Sequence, residues 1–172
     1  MTTREVRRDR WRDGGLDRVP VPGVAGELWL CGKHVVGADP DAALDRIGGP
    51  GTIVCLNQRA ELEDRYPVYV DWLRRHDGTT ALWFPIPDLH APALDDLRPL
   101  LAEIGRRLAA GDHVLIHCGA GIGRAGTVAV CVLMQHGQSR DEALAHVADH
   151  RPMAGPEVGA QRELVDELAA LL

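Results

Sequence analysis

The chain has 172 residues, the size of one ordinary domain with room for one sizeable hydrophobic core. Hydrophobic residues make up 45% and charged residues 26%, a balance that excludes collagen-like, disordered and disulfide-scaffold classes. The net charge of −6 argues against a nucleic-acid partner, because a phosphate backbone favours a basic surface. The longest apolar run, Val128 to Met134, is too short to span a bilayer, and no signal-peptide pattern is present. We therefore expect a cytoplasmic monomer that binds neither nucleic acid nor membrane.

Turn residues and hydrophobic periodicity divide the chain into alternating strands and helices. Residues 1–20 are predicted to form a mobile arm, and residues 21–172 a single domain. Strands are predicted at 27–31, 33–36, 52–56, 79–86 and 113–117. Helices are predicted at 39–46, 60–75 with a break at Pro67, 92–110, 123–136, 139–150 and 156–171. This alternation indicates an α/β fold with a central, mainly parallel sheet of four to five strands flanked by helices.

One segment combines a strand, a glycine-rich loop and the start of a helix. His117 ends the predicted strand, Cys118 follows it, and Arg124 lies at the start of the predicted helix. Between them lie five uncharged residues, Gly119, Ala120, Gly121, Ile122 and Gly123. Glycines let successive backbone N–H groups turn toward one point, and the helix N-terminus adds partial positive charge there. Arg124 suits two phosphate oxygens, and a cysteine beneath such donors is expected to be a thiolate nucleophile.

Two other interpretations compete for this segment. Gly121, Gly123 and Gly126 match the dinucleotide-binding fingerprint, which would make the protein an oxidoreductase. That fingerprint requires a second strand ending in an acidic residue about 20 residues later, whereas this chain continues into Gly137 and another helical pattern. An ordinary glycine-rich turn is the second alternative, but it leaves the thiol and the guanidinium unexplained.

The pattern H-C-x-x-x-x-x-R from His117 to Arg124 resembles the signature loop of the cysteine-dependent protein tyrosine phosphatases. The short chain resembles their small dual-specificity branch, from about residue 27 to the C-terminus. The resemblance implies a phosphomonoester hydrolase in which Cys118 forms a cysteinyl-phosphate intermediate, residues 119–124 bind the phosphate and His117 orients the cysteine. It implies no metal or organic cofactor, since the loop supplies the positive charge. The uncharged loop favours phosphoproteins or small phosphomonoesters over phosphoinositides as substrates.

The resemblance also implies a general acid and a residue that positions water. Pro87 and Asp88 match the family's acid loop, and Asp88 would protonate the leaving oxygen from a position 30 residues before the nucleophile. Asp95 and Asp96 are rival acids, although carboxylates are common in the first turn of a helix for dipole reasons alone. Gln161 resembles the glutamine that positions water for hydrolysis of the phosphoenzyme.

Ala125 departs from the family pattern, which usually has Ser or Thr immediately after the loop arginine. That hydroxyl stabilises the departing thiolate in the second half-reaction, so its absence predicts slow breakdown of the phosphoenzyme. It also keeps open a phosphate-binding pseudophosphatase module with little turnover.

Other residue types with reactive side chains have simpler interpretations. Cys31, Cys55 and Cys131 are expected to be buried core residues, since free cysteines behave as small hydrophobic side chains. His146 and His150 are four residues apart on a helix and form a possible metal pair, but a solvated helix face is the favoured interpretation.

Overall fold

The strand that ends at Cys118 is the central strand of the sheet. A computed structural model describes residues 15–172. Its five strands are Asp17–Val19 (β1), Leu28–Gly32 (β2), Gly51–Cys55 (β3), Ala81–Trp83 (β4) and His113–Cys118 (β5). They form one sheet in the order β1-β2-β5-β3-β4, in which β1 is antiparallel to β2 and the other pairs are parallel. The predicted α/β fold with a mainly parallel sheet is confirmed.

Seven α-helices flank this sheet within residues 15–172. They are Lys33–Ala38 (α1), Pro40–Ile47 (α2), Pro67–His76 (α3), Leu94–Ala109 (α4), Gly123–Gln135 (α5), Arg140–His150 (α6) and Gly159–Ala169 (α7). A short 3-10 helix, Arg59–Glu61, precedes α3, so the predicted break at Pro67 is confirmed. The predicted caps are also present. Asp39 accepts a hydrogen bond from Ala42 N at 2.9 Å, and Ser139 forms a capping box with Glu142.

Two segments differ from the sequence predictions. Residues 33–36 form part of helix α1 instead of a strand, and the N–H of Lys33 donates to Gly119 O at 3.0 Å. Within the predicted arm, Asp17–Val19 pair with β2 as strand β1, and the Val19 side chain is fully buried. The remainder of the predicted arm, residues 1–14, lies outside the described residues.

Helices cover both faces of the sheet and form two hydrophobic cores. One core lies under α4, α5, α6 and α7, and the other lies under α1, α2 and α3. Along β5 the side chains alternate between them, because Ile116 and Cys118 belong to the first core and Leu115 to the second. Burial on both faces explains why this parallel strand is a continuous apolar run.

The carboxyl ends of three parallel strands, β2, β5 and β3, lie side by side at one end of the sheet. Gly32 at the end of β2 pairs with Cys118, and Cys55 at the end of β3 pairs with His117. Crevices outside such strand ends are the usual ligand sites of α/β sheets. The glycine-rich loop begins at this carboxyl end of the strands.

The chain after α5 argues against the dinucleotide-binding alternative. Helices α6 and α7 follow α5, and residues 136–172 contain no strand that could end in the required acidic residue. Within the described part of the chain, no helix is both long and apolar enough to cross a membrane.

Gly126 allows α5 to lie against the segment that precedes α7. A Cβ atom at Gly126 would lie 2.2 Å from Gly155 N. We therefore expect Gly126→Ala to lower the free energy of unfolding by about 1–3 kcal/mol, because the backbone must move. Gly159→Ala is the matched control, since a Cβ at that helical position meets nothing within 4 Å. Urea unfolding measures both variants, and a Gly126→Ala protein as stable as wild type would contradict this account.

Candidate active site

The loop between β5 and α5 directs its first three carbonyl groups toward the rest of the protein. Gly119 O accepts from Lys33 N at 3.0 Å. Ala120 O accepts from Arg151 Nη2 at 2.8 Å, and Gly121 O accepts from Arg151 Nε at 2.6 Å. These three carbonyls are therefore satisfied by groups outside the loop.

The last two loop carbonyls have partners in α5 and in the segment before α7. Ile122 O accepts from Gly126 N at 3.0 Å and from Gly155 N at 3.1 Å. Gly123 O accepts from the Thr127 hydroxyl at 2.6 Å. Every carbonyl from residue 119 to residue 123 thus has a donor from the protein.

The N–H groups of the same loop differ from its carbonyls, because they have no hydrogen-bond partner among the described residues. Among residues 15–172, no protein acceptor takes a hydrogen bond from the N–H groups of residues 119–124. Gly121 has a φ of +71°, and a Cβ there would lie 2.2 Å from Cys31 O, so the turn requires glycine. A row of unpaired donors at the start of a helix is the physical description of an anion site.

Cys118 lies at the base of this row, at the last position of β5, and its residue is 3% exposed. Cys31, Cys55 and Cys131 are fully buried, as predicted for core residues. Burial raises the pKa of Cys55 and of Cys131 to about 12 and raises the pKa of Cys31 as well. These three side chains therefore remain neutral thiols at physiological pH.

Arg124 closes the loop and is held in place by three acceptors. Its Nη1 and Nη2 atoms each donate to the Glu61 carboxylate at 2.8 Å, and Nη1 also donates to Ile86 O at 2.8 Å. The Nη2 atom lies 3.2 Å from Asp88 Oδ1. Planar, two-point pairing with Glu61 fixes the plane of a guanidinium that is almost entirely buried.

Glu61 is a site residue that the sequence analysis missed. Burial opposes its ionisation, but hydrogen bonds from Arg124 and from the Gln58 N–H outweigh burial and lower the pKa of the carboxyl. Asn57 Nδ2 donates to the same carboxylate at 3.0 Å. The available signal was the polar run that follows β3, since the ends of parallel strands meet at one edge.

The structure distinguishes Asp88 from the two rival acids. Asp88 lies against Arg124, and its side chain is 70% exposed. Asp95 and Asp96 lie in the first turn of α4, beside an open groove of about 530 Å³, and Asp95 faces Arg98 at 3.6 Å. Among the described residues, neither rival carboxylate forms an ion pair with Arg124.

His117 is fully buried behind the loop and shares a hydrogen bond with the Tyr69 hydroxyl, whose oxygen lies 2.6 Å from Nε2. Burial lowers the pKa of His117 to about 3. The ring is therefore neutral at physiological pH, and Tyr69 fixes its orientation.

Gln161 is buried in the first turn of α7 instead of lying on the helix surface. Its Oε1 atom accepts from Glu157 N at 2.8 Å, and its Nε2 atom donates to His90 O at 3.3 Å. Because His90 follows Asp88 by two residues, Gln161 joins α7 to the segment that carries the predicted acid.

His146 and His150 are both partly exposed on α6. Their rings stack with centroids 4.5 Å apart, and Gln138 Nε2 lies 3.2 Å from His146 Nδ1. Within residues 15–172, no cluster of three or more His, Cys, Asp or Glu side chains is arranged to hold a metal ion.

The α/β sheet and the signature sequence at the carboxyl ends of its strands are those of the small dual-specificity branch of the cysteine-dependent protein tyrosine phosphatase family. A family model described as "Swiss Army Knife protein, DSP-PTPase phosphatase domain" (PTP-SAK) matches residues 41–167. The chain belongs to this family.

Curated relatives agree with this assignment but are longer proteins. Dual specificity protein phosphatase 1 of Arabidopsis thaliana is 44% identical over 57 residues, which are 33% of this chain and 29% of the relative. Phosphatidylglycerophosphate phosphatase PTPMT2 of Arabidopsis thaliana is 30% identical over 127 residues, which are 72% of this chain and 52% of the relative. The chain therefore spans about half or less of these relatives.

Solved structures support the fold over nearly the whole described chain. The active form of Tk-PTP is 30% identical with a TM-score of 0.68, and the alignment covers 91% of this chain and 98% of that one. Kinase associated phosphatase has a TM-score of 0.74 at 23% identity, with coverage of 91% and 97%. At that identity the second likeness concerns the fold alone.

The low pKa of His117 predicts a loss of stability in acid. Below pH 6.5 the unfolded chain binds a proton at His117 that the folded protein excludes until about pH 3. We expect this group to lower the free energy of unfolding by about 1.4 kcal/mol per pH unit between about pH 6 and pH 4. Urea unfolding of wild type and His117→Gln across this range isolates the contribution. If the free energy of unfolding changes equally with pH in the two proteins, the folded state does not keep His117 from binding a proton, and the prediction is wrong.

Proposed function

We propose that the chain is a phosphomonoester hydrolase that acts through a cysteinyl-phosphate intermediate, of the protein tyrosine or dual-specificity type. The row of unpaired N–H groups at residues 119–124 above Cys118 carries this proposal. Phosphate oxygens are the acceptors that such a row suits, and Arg124 adds a fixed positive charge at its end.

In the first half-reaction, the Cys118 thiolate attacks phosphorus while the loop N–H groups and Arg124 hold the phosphate oxygens. A sulfur–phosphorus bond forms and the bond from phosphorus to the leaving oxygen breaks. Protonated Asp88 gives its proton to that oxygen, so no free alkoxide or phenoxide departs. Negative charge on the phosphoryl oxygens is stabilised by donors already in place, which is the main source of rate enhancement in such sites.

Asp88 and the substrate phosphate share Arg124 as a partner. In the described structure Arg124 Nη2 has Glu61 on one side and Asp88 on the other. Phosphate binding therefore exchanges the Asp88 contact for a phosphoryl oxygen, and the exposed Asp88 side chain is free to turn toward the leaving group. Glu61 keeps the guanidinium oriented during this exchange.

In the second half-reaction, water attacks phosphorus, Asp88 takes the proton from that water and Cys118 leaves as a thiolate. Gln161 positions the water in the role that the family resemblance implies. Its hydrogen bond to His90 O supports this role indirectly, because that bond joins α7 to the Asp88 segment. Ala125 provides no hydroxyl for the departing thiolate, and the nearby Thr127 hydroxyl is bonded to Gly123 O.

The proposed substrate is a phosphoprotein or a small phosphomonoester, because the loop contains no lysine that would favour a phosphoinositide. A lipid phosphomonoester is the second candidate, and it rests on the relative named as a phosphatidylglycerophosphate phosphatase. A panel of phosphotyrosine, phosphoserine and phosphothreonine peptides, assayed beside phosphatidylglycerophosphate vesicles, separates these candidates by kcat/KM.

Substitution of the proposed nucleophile and acid tests the mechanism. With an aryl phosphate, Cys118→Ser is expected to abolish turnover, and Asp88→Asn to lower kcat by about 10²–10⁴-fold. Asp95→Asn is the matched control and should retain wild-type kcat. Turnover that persists in Cys118→Ser would refute the covalent mechanism. Stoichiometric phosphopeptide binding without turnover by the wild-type protein would instead support the pseudophosphatase alternative.

Ala125→Ser tests the origin of slow second-step turnover. The added hydroxyl is expected to speed decay of the phosphoenzyme by about 10-fold to 100-fold, since a hydrogen bond to a charged group contributes about 1.5–3 kcal/mol. Rapid-quench kinetics with an aryl phosphate measure this decay directly. Ala129→Ser, one turn further along α5, controls for the cost of a buried hydroxyl. An unchanged decay rate in Ala125→Ser would contradict the prediction.

A further inference from the structure

Arg151 lies immediately after α6, and its side chain extends beneath the glycine-rich loop. The residue is 6% exposed. Its Nε donates to Gly121 O and its Nη2 donates to Ala120 O, at 2.6 and 2.8 Å. Its Nη1 donates to Asp17 Oδ2 at 2.8 Å and to Gly15 O. One buried guanidinium therefore joins two consecutive loop carbonyls to strand β1.

Because the peptide unit is planar, the contact of Arg151 with the loop carbonyls also sets the direction of the loop N–H groups. In a trans peptide the carbonyl of one residue and the N–H of the next point in opposite directions. When Arg151 holds Ala120 O and Gly121 O toward itself, it directs the N–H groups of Gly121 and Ile122 the opposite way. These two N–H groups belong to the row proposed to bind phosphate.

Asp17 is the counter-charge that makes this arrangement stable. A buried guanidinium without a carboxylate partner is strongly unfavourable. The pair is well shielded from water, since the Arg151 and Asp17 side chains are 8% and 15% exposed. Strand β1 thus contributes to the site through Asp17 although it lies at the edge of the sheet.

We propose that Arg151, held by Asp17, is a positioning residue that orients the loop N–H groups toward the substrate phosphate. The proposal rests on the proposed function of the loop as the phosphate site. Under this proposal, phosphate binding depends on strand β1 and Arg151 as well as on the loop itself.

Arg107 offers a matched control for the cost of removing a buried arginine. It is 7% exposed, pairs with Glu103 at 2.7 Å and donates to backbone carbonyls, including Gly78 O at 3.4 Å. Its partner Thr52 lies near the start of β3, at the sheet edge opposite the loop. Loss of Arg107 is therefore expected to reduce stability without reorienting the loop.

The experiment measures inhibition by orthovanadate and kcat/KM for an aryl phosphate in Arg151→Ala and Arg107→Ala. We expect Arg151→Ala to raise the inhibition constant for orthovanadate and to lower kcat/KM by about 10-fold to 100-fold, because a small misplacement of catalytic donors has effects of that size. Guanidinium at millimolar concentration should restore part of both in Arg151→Ala. Arg107→Ala should show a lower melting temperature with an unchanged inhibition constant.

Asp17→Asn and Arg151→Lys, made singly and together, test the pairing. Coupling is expected, so that the double variant loses less orthovanadate affinity than the sum of the single losses. Additive losses would refute the part played by Asp17. Wild-type orthovanadate affinity in folded Arg151→Ala would overturn the positioning role and leave the proposed function intact. A wild-type protein that binds no orthovanadate would refute the proposed function itself.

Discussion

Hydrogen bonds to the loop carbonyls are the constraint on which the rest of the site depends. Five consecutive peptide groups that present their N–H groups to one side must leave their carbonyls on the other side, where each needs a donor. The donors come from α1, from α5, from Arg151 and from Gly155. The central position of β5 brings the loop within reach of all these segments at once.

Glu61 and Asp88 contact the same Arg124 guanidinium but have different roles. Glu61 takes two of its N–H groups in a planar pair and has no step in the proposed chemistry, whereas Asp88 makes a single contact and is largely exposed. The first interaction orients the positive charge, and the second is weak enough to be exchanged. Two carboxylates beside one arginine thus have different roles because their burial differs.

The sequence predicted local secondary structure well and the long-range partners of the loop poorly. The strand, loop and helix from His113 to Gln135 form one continuous pattern, and the helix caps at Asp39 and Ser139 are equally local. Glu61 and Arg151 are 63 and 30 residues from their partners in the loop region. No spacing rule connects such residues, because the sheet topology brings them together.

The two errors in the fold have the same physical origin. The β-branched residues Val35 and Val36 favoured a strand, but contact of Lys33 with the loop and burial of Val36 favour the first turn of α1. Propensity is a weak influence where tertiary contacts oppose it. Strand β1 has only three residues and carries charges at Asp17 and Arg18, so its pairing with β2 left almost no pattern in the sequence.

The contact of Lys33 with the loop also has a chemical consequence. Lys33 is the only lysine of the chain, its backbone N–H holds Gly119 O, and its Nζ donates to Glu61 O at 3.1 Å. Apart from the terminal amine, Lys33 is therefore the one side chain that amine-directed reagents can modify, and it lies beside the site. A fluorophore, a crosslinker or a solid support attached through this amine would report on the phosphate loop from a single known point.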